Sequence, residues 1–206
     1  MQGCRPLSRE EVQLIHDSFT GRYATRNRCL FVLGVLAGFR IKEMLSLRVK
    51  DVVANKKIRS LLRVARRNMK GSQKSRTVYL AREAQLEILH QVHALQWPGQ
   101  DVFLFRAQGN KNKAISYTQA RRVLLDAFTG CGVADQVGTH SLRKTFANEL
   151  FEFMLGLLAD GEQVEPFMEV STALGHSDPK STKHYLSFRD AARRRAIKNM
   201  GARLSA

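Results

Sequence analysis

Along most of the chain apolar positions recur three and four apart, the spacing of a helix face, and in one central stretch the period shortens to two. Ser8-Arg9-Glu10-Glu11 has the form of a capping box, with Ser8 as N-cap and Glu11 three positions on. It opens a helix through Val12, Leu14, Ile15 and Phe19. Thr25 to Ala37 reads as a buried helix closed by Gly38, and Ile41, Met44, Leu45 and Leu47 follow as a short amphipathic turn. Residues 58 to 66 (IRSLLRVAR) and 77 to 80 (TVYL) then read as strands. The polar NMKGSQKSR between them, with Gly71-Ser72 suited to a turn, makes them a hairpin.

Residues 82 to 95 predict a helix, residues 102 to 105 (VFLF) a short strand, and residues 109 to 113 (GNKNK) a basic loop. Helices are expected over 116 to 129, 140 to 158, 163 to 173, 179 to 186 and 189 to 203. No repeat or low-complexity linker interrupts this order. The expected fold is one mainly α (α+β) domain carrying a small antiparallel sheet.

Composition adds a partner class. The 206 residues include 44% hydrophobic ones, enough to bury a core, and charged residues at 25% are ordinary for a globular chain. The balance is not ordinary: 34 Lys+Arg against 18 Asp+Glu give a formal charge of +16. Such an excess points to a polyanion, either nucleic acid or an anionic membrane surface. The charge is also uneven. Residues 40 to 82 hold fourteen basic residues and only Glu43 and Asp51 as acids, whereas residues 145 to 179 hold seven acids and no Lys or Arg. Residues 180 to 206 are basic again, so one face is expected to meet the polyanion while another faces away.

Cys4, Cys29 and Cys131 form no CxxC pair, which suggests neither a disulfide framework nor a zinc site and fits a reducing cytoplasm. Cys29, in an apolar run, reads as a small core residue. His90 and His93 are three apart on a helix without a nearby third ligand, so no metal site is expected there. The longest apolar run, Leu30 to Phe39, is too short to span a bilayer, and the N-terminus lacks a signal-peptide core.

Four segments carry the candidate chemistry: GFRIKEMLSL around Arg40, the hairpin tip with Lys70 and Lys74, HSLRKTF at 140 to 146, and ALGHSDPKSTKHYLSF at 173 to 188. His140 and Arg143 are one helical turn apart, which sets a proton-shuttling imidazole beside a guanidinium fork suited to phosphate. Tyr185 lies nine residues beyond His176 in basic surroundings, with packing of its ring into the core as the alternative to chemistry.

Together these segments resemble the tyrosine recombinase (phage integrase) family. Gly38-Phe39-Arg40 with Glu43, Leu45 and Leu47 matches the family's first motif. Lys70 matches its hairpin lysine, His140 and Arg143 its His-x-x-Arg, Leu174-Gly175-His176 its Leu-Gly-His, and Tyr185 its nucleophile. The resemblance implies a site-specific recombinase that cleaves and rejoins double-stranded DNA through a 3′-phosphotyrosine, without metal or nucleotide cofactor. Arg40 and Arg143 would clamp the phosphate, Lys70 (or Lys74, on the same loop) would protonate the leaving 5′-oxygen, and His140 would move the tyrosine proton. His176 would hydrogen-bond a phosphate oxygen, and Glu43 would brace the Arg40 turn. The alternatives of the same fold are a DNA-binding protein without catalysis and a type IB topoisomerase-like enzyme.

The resemblance further implies a synaptic tetramer, with possible accessory DNA-bending proteins, and a basic C-terminal segment, 187 to 206, that docks on a neighbouring subunit. Two departures stand out. The interval between Arg143 and His176 exceeds the family's usual spacing, so a longer helix or a surface excursion is expected around LGLLADGEQVEP. The chain also starts almost at the catalytic domain, without the family's N-terminal clamp domain. The expectation is therefore a single catalytic domain, either naturally short like the fimbrial-switch invertases or part of a longer integrase.

Overall fold

A computed structural model describes residues 4–64, 75–109, 112–133, 135–176 and 178–185, together with Ile197 and Met200. Its first helix, α1 (Arg9–Ser18), starts on the expected box: the Ser8 hydroxyl accepts from the Glu11 amide and the Glu11 carboxylate accepts from the Ser8 amide. The same carboxylate receives Arg5 through two bonds of 2.6 and 2.7 Å, which fixes the incoming chain. Leu7 is buried, and its amide donates to Thr145 Oγ1 at 2.8 Å.

Helix α2 (Ala24–Ala37) forms the centre of the molecule, because Cys29 to Val35 are buried without a break. A helix that is apolar all round must be covered on every side. Cover comes mainly from α5 (Arg82–Ala94) and α7 (Thr139–Ala159), with α1 and α6 (Tyr117–Gly130) adding to it. Gly38 ends α2 in the left-handed conformation, φ 60°, with its amide on Leu33 O. The Phe146 ring occupies the space where a Cβ would stand. Both facts demand glycine at the residue that turns the chain toward Arg40.

Two short helices follow, α3 (Ile41–Leu45) and α4 (Val49–Val52), then the two-residue strands β1 (Val53–Ala54) and β2 (Lys57–Ile58). The hairpin proper is β3 (Leu61–Val64) paired antiparallel with β4 (Arg76–Tyr79), with Leu62 opposite Val78 and Val64 opposite Arg76. The strand expected over 58 to 66 is thus divided. Asn55 and Lys56 take positive φ in a tight turn that gives Ile58 to β2, and pairing with β4 begins only at Leu61. Residues 65 to 74, which include Lys70 and Lys74, lie outside the described residues.

Residues 102 to 105 do not form the expected strand. Phe103 makes a single bridge to Arg48, and Leu104 and Phe105 are fully buried as core plugs. A short apolar run supports either burial mode, and among the described residues only the isolated bridge to Arg48 pairs with it. The segment expected to be helical over 179 to 186 is a 3₁₀ helix, Pro179–His184, entered through Asp178, whose side chain accepts from Lys180 N. Of the helix expected over 189 to 203, Ile197 and Met200 are described and are helical; the rest lies outside the described residues.

The long interval after Arg143 is a long helix. Helix α7 runs for 21 residues, and α8 (Pro166–Leu174) returns antiparallel to it. Its first half packs on α2, while Phe153, Leu155 and Leu158 in its second half are exposed. A second, smaller core joins Ala147, Val170 and Leu174 to Phe146, Leu150, Phe151, Phe167 and Tyr185. This cluster fixes the tyrosine segment to the body of the protein.

Candidate active site

Arg40 follows the Gly38 turn as N-cap of α3, and its position depends on Glu43 one turn on. The Glu43 carboxylate accepts from the Arg40 amide and from Arg40 Nη1, both at 2.9 Å. Glu43 itself is fully buried. It therefore needs cations around it, and it has a second one: Arg76 Nη2 donates to Oε2 at 2.9 Å. Burial pushes the Glu43 carboxyl up, but Arg76, the Arg40 amide and Arg143 outweigh it and hold it below its ordinary value. The expected bracing role of Glu43 is thus present in the geometry.

Arg76 belongs to no motif singled out in the sequence. It sits on β4 in phase with Val78 and Leu80, on the inward face of the hairpin, and is buried. Besides Glu43 it donates to Ala173 O at 2.5 Å and Gly38 O at 3.3 Å, and its guanidinium lies 5.3 Å from the Phe39 ring centroid. One side chain thus ties the hairpin, the Arg40 turn and the end of α8 together. The signal was the two-residue alternation itself, which puts a charge where the pattern calls for an apolar residue.

Arg143 is held in a parallel way from the opposite side. It is 1% exposed, and its Nη1 and Nη2 donate to Gly38 O and Leu174 O. Arg76 and Arg143 therefore share the Gly38 carbonyl and take the adjacent carbonyls of Ala173 and Leu174 at the negative end of α8. Burial first, then the charges of Arg40 and Arg76, draw the Arg143 pKa down. Three guanidiniums against one carboxylate leave the site strongly positive.

Gly175 caps α8 with φ 64° and turns the chain so that His176 faces Arg143. His176 Nε2 lies 3.4 Å from Arg143 Nη2, and Nδ1 lies 2.8 Å from Thr182 Oγ1. A guanidinium only donates, so Nε2 carries the lone pair and Nδ1–H donates to the threonine. Burial, reinforced by Arg143, Arg40 and Arg76, pushes the imidazole down to about 4, so it is neutral at pH 7. Donation from Nε2 to a phosphate, the role the resemblance implies, would require the other tautomer.

Tyr185 closes the 3₁₀ helix, its amide donating to Thr182 O and its carbonyl accepting from Asn148 Nδ2 at 2.8 Å. Its ring stands 5.0 Å from the His176 ring and 5.6 Å from Arg143 Cζ. The half-buried ring thus packs on the second core while meeting two of the expected site residues. His140, in the first turn of α7, stays exposed at the rim while Arg143 turns inward. Partial burial and then the charges of Arg143, Arg40 and Lys144 draw its pKa down. Of the six residues singled out, five (Arg40, His140, Arg143, His176 and Tyr185) come together, and Lys70 lies outside the described residues. Thr182 and Asn148, which orient His176 and Tyr185, were not singled out, because a threonine and an asparagine carry no recognisable spacing.

Residues 6–191 match the model of the phage integrase family. The probable integrase/recombinase YoeC of Bacillus subtilis (strain 168) is 27% identical over 85% of this chain and 85% of its own. Among solved structures, XerA recombinase aligns with a TM-score of 0.69 at 21% identity, over 97% of this chain and 66% of XerA. The Tn1549 transposon integrase in complex with transposon right end DNA aligns with a TM-score of 0.70 at 14% identity, over 100% of this chain and 67% of that one. The chain spans about two thirds of each of these solved chains. It belongs to the phage integrase family, and its class is that of the site-specific tyrosine recombinases. Among the described residues no helix is long and apolar enough to cross a membrane.

Proposed function

We propose that this protein breaks and rejoins strands of double-stranded DNA in the cytoplasm with Tyr185 as nucleophile. The observation that supports this most is the meeting of the Tyr185 ring with His176 and Arg143, beside an Arg40 that Glu43 and Arg76 hold in place. The phenolic oxygen attacks phosphorus, a bond to the tyrosine forms and the bond to the 5′-oxygen breaks. The strand is left as a 3′-phosphotyrosine with a free 5′-hydroxyl. Reversal by the hydroxyl of another strand releases Tyr185, so the phosphodiester is conserved without water.

Negative charge grows on the non-bridging oxygens as the phosphorus becomes five-coordinate, and fixed cations stabilise that change most in a site shielded from water. Arg40 is the reachable donor, with its side chain 30% exposed. Arg143 is covered by Tyr185, so phosphate binding there requires its bonds to the Leu174 and Gly38 carbonyls to be exchanged for phosphate oxygens. His140 takes the phenolic proton: partial burial and then the charges of Arg143, Arg40 and Lys144 draw its pKa down, which favours the neutral, proton-accepting imidazole. Lys70, in the segment between β3 and β4, protonates the leaving 5′-oxygen.

Synapsis of two sites brings four copies together, with accessory DNA-bending proteins shaping the DNA, and residues 187 to 206 dock on a neighbouring copy. Nicked suicide substrates carrying candidate sites, followed by denaturing gels, test the reading. A covalent adduct with the wild type and none with Tyr185→Phe is expected. An adduct of equal yield with Tyr185→Phe would overturn the assignment of the nucleophile.

A further inference from the structure

At the end of α2 remote from Arg40, the chain forms a second arginine cluster around a cavity of about 460 Å³. Arg22, Tyr23, Thr25 and Arg26 line it from the start of α2, Gln91 from α5, and Arg106 from the loop beyond. The 14 residues of α2 place this cavity about 20 Å from Arg40. Among the described residues that line it there is no aspartate or glutamate.

The buried member is Arg26, 5% exposed. Its guanidinium lies 4.4 Å over the Tyr23 ring, and that of Arg22 lies 5.6 Å from the same ring. Arg26 Nε and Nη2 both donate to Asn27 Oδ1, and Nη1 reaches Arg106 O only at 3.4 Å. Arg76, the comparable buried cation, is matched by Glu43; among the described residues Arg26 has neutral acceptors alone. A desolvated cation without a counter-charge is costly unless an anion joins it. Burial accordingly draws the Arg26 pKa down.

The backbone adds to this field. Tyr23, at the N-cap, supplies no side-chain acceptor, and among the described residues none accepts from the amides of Thr25 and Arg26. Two N–H groups without an acceptor among the described residues thus stand at the positive end of a long helix, on residues that line the cavity with three arginines. Arg106 contributes further: Nη2 donates to Gly109 O, while Nε is buried without a partner among the described residues.

We propose that this cavity is a phosphate-binding site separate from the strand-cleavage site. Its volume exceeds what one phosphate fills and suits a diphosphate or a nucleotide-sized ligand. The same chemistry would equally hold a backbone phosphate of DNA lying outside the cleavage region. The proposal does not depend on Tyr185 being the nucleophile, since none of its residues is shared with that site.

Titration calorimetry with inorganic pyrophosphate at low ionic strength tests it on the whole chain. Wild type, Tyr185→Phe and Arg40→Ala are expected to bind saturably with similar affinity. Arg22→Gln combined with Arg106→Gln is expected to weaken binding by about tenfold or more, and the corresponding double lysine variant to recover part of the loss, because it restores charge without the planar fork. Arg22 is exposed and Arg106 only half-buried, and circular dichroism verifies the fold of each variant; Arg22→Gln alone is expected to show a smaller loss in the same direction. A parallel salt titration of duplex binding separates the two sources: a slope reduced in the double glutamine variant assigns the site to DNA backbone, and an unchanged slope assigns it to a free phosphate ligand. Absence of saturable pyrophosphate binding in the wild type overturns the proposal. So does binding that disappears with Arg40→Ala and survives in the double glutamine variant.

Discussion

Glu43 is the residue on which the arginines of the proposed cleavage site depend. Its carboxylate is bonded to both Arg40 and Arg76, and removing its charge leaves buried cations without compensation. Glu43→Gln is therefore expected to lower unfolding free energy by about 3 kcal/mol, measured by urea denaturation at pH 7. Arg76→Leu should separate position from charge: Arg40 remains present but loses the partner that holds Glu43 across from it. Adduct yield on suicide substrates is expected to fall at least about tenfold, more than DNA binding does, which an effect on net charge alone would not produce.

His176 makes a pH prediction whose sign follows from its neutral state. Its ordinary value is 6.5 and its folded value about 4, so between these the unfolded chain binds a proton that the folded one refuses. Stability is thus full above about pH 6.5 and falls as pH drops toward 4, after which this contribution levels off. Urea midpoints collected across that window should show the decline, and His176→Gln should flatten it. His140, also displaced downward, adds a slope of the same sign.

Among the elements, α2 and α7 have different duties in their two ends. The start of α7 is an interior element carrying Arg143, whereas its second half projects Phe153, which is 64% exposed. Phe153→Ser is accordingly expected to change stability by less than about 0.5 kcal/mol, checked by thermal melting. Gly38→Ala is the opposite case. A left-handed residue packed against Phe146 cannot take a Cβ without moving the carbonyl that Arg76 and Arg143 share, so a loss of about 1–3 kcal/mol with a parallel loss of adduct is expected. At this scale the sequence was legible where the local pattern is strong. The Ser8 box, the Gly38 stop and the length of α7 could all be read directly. Residues 102 to 105 could not, because an apolar run shows that it is buried but not what lies beside it.

For the whole molecule, six of the arginines behind the +16 charge gather in two places. Arg40, Arg76 and Arg143 surround one carboxylate at the proposed cleavage site, and Arg22, Arg26 and Arg106 surround a cavity at the far end of α2. The remaining excess should act on DNA non-specifically. Tyr185→Phe is expected to bind duplex as the wild type does, and both to lose affinity steeply between low and moderate salt in gel-shift titrations.

The sequence by itself determined the order of the longer helices and the β3–β4 hairpin, the excess of positive charge and the motif residues, because spacing along a chain survives without coordinates. Five of the six residues it singled out meet in space. The tertiary structure alone decided which arginines are buried and what holds them. Arg76 became part of the site because β4 turns it inward against Gly38 and Ala173, residues 38 and 97 positions away. Arg22, Tyr23 and Arg26 became one wall of a cavity because Arg106, 80 positions beyond Arg26, closes the other side. Burial and counter-charge are properties of neighbours brought together by packing, and a one-dimensional pattern records neither.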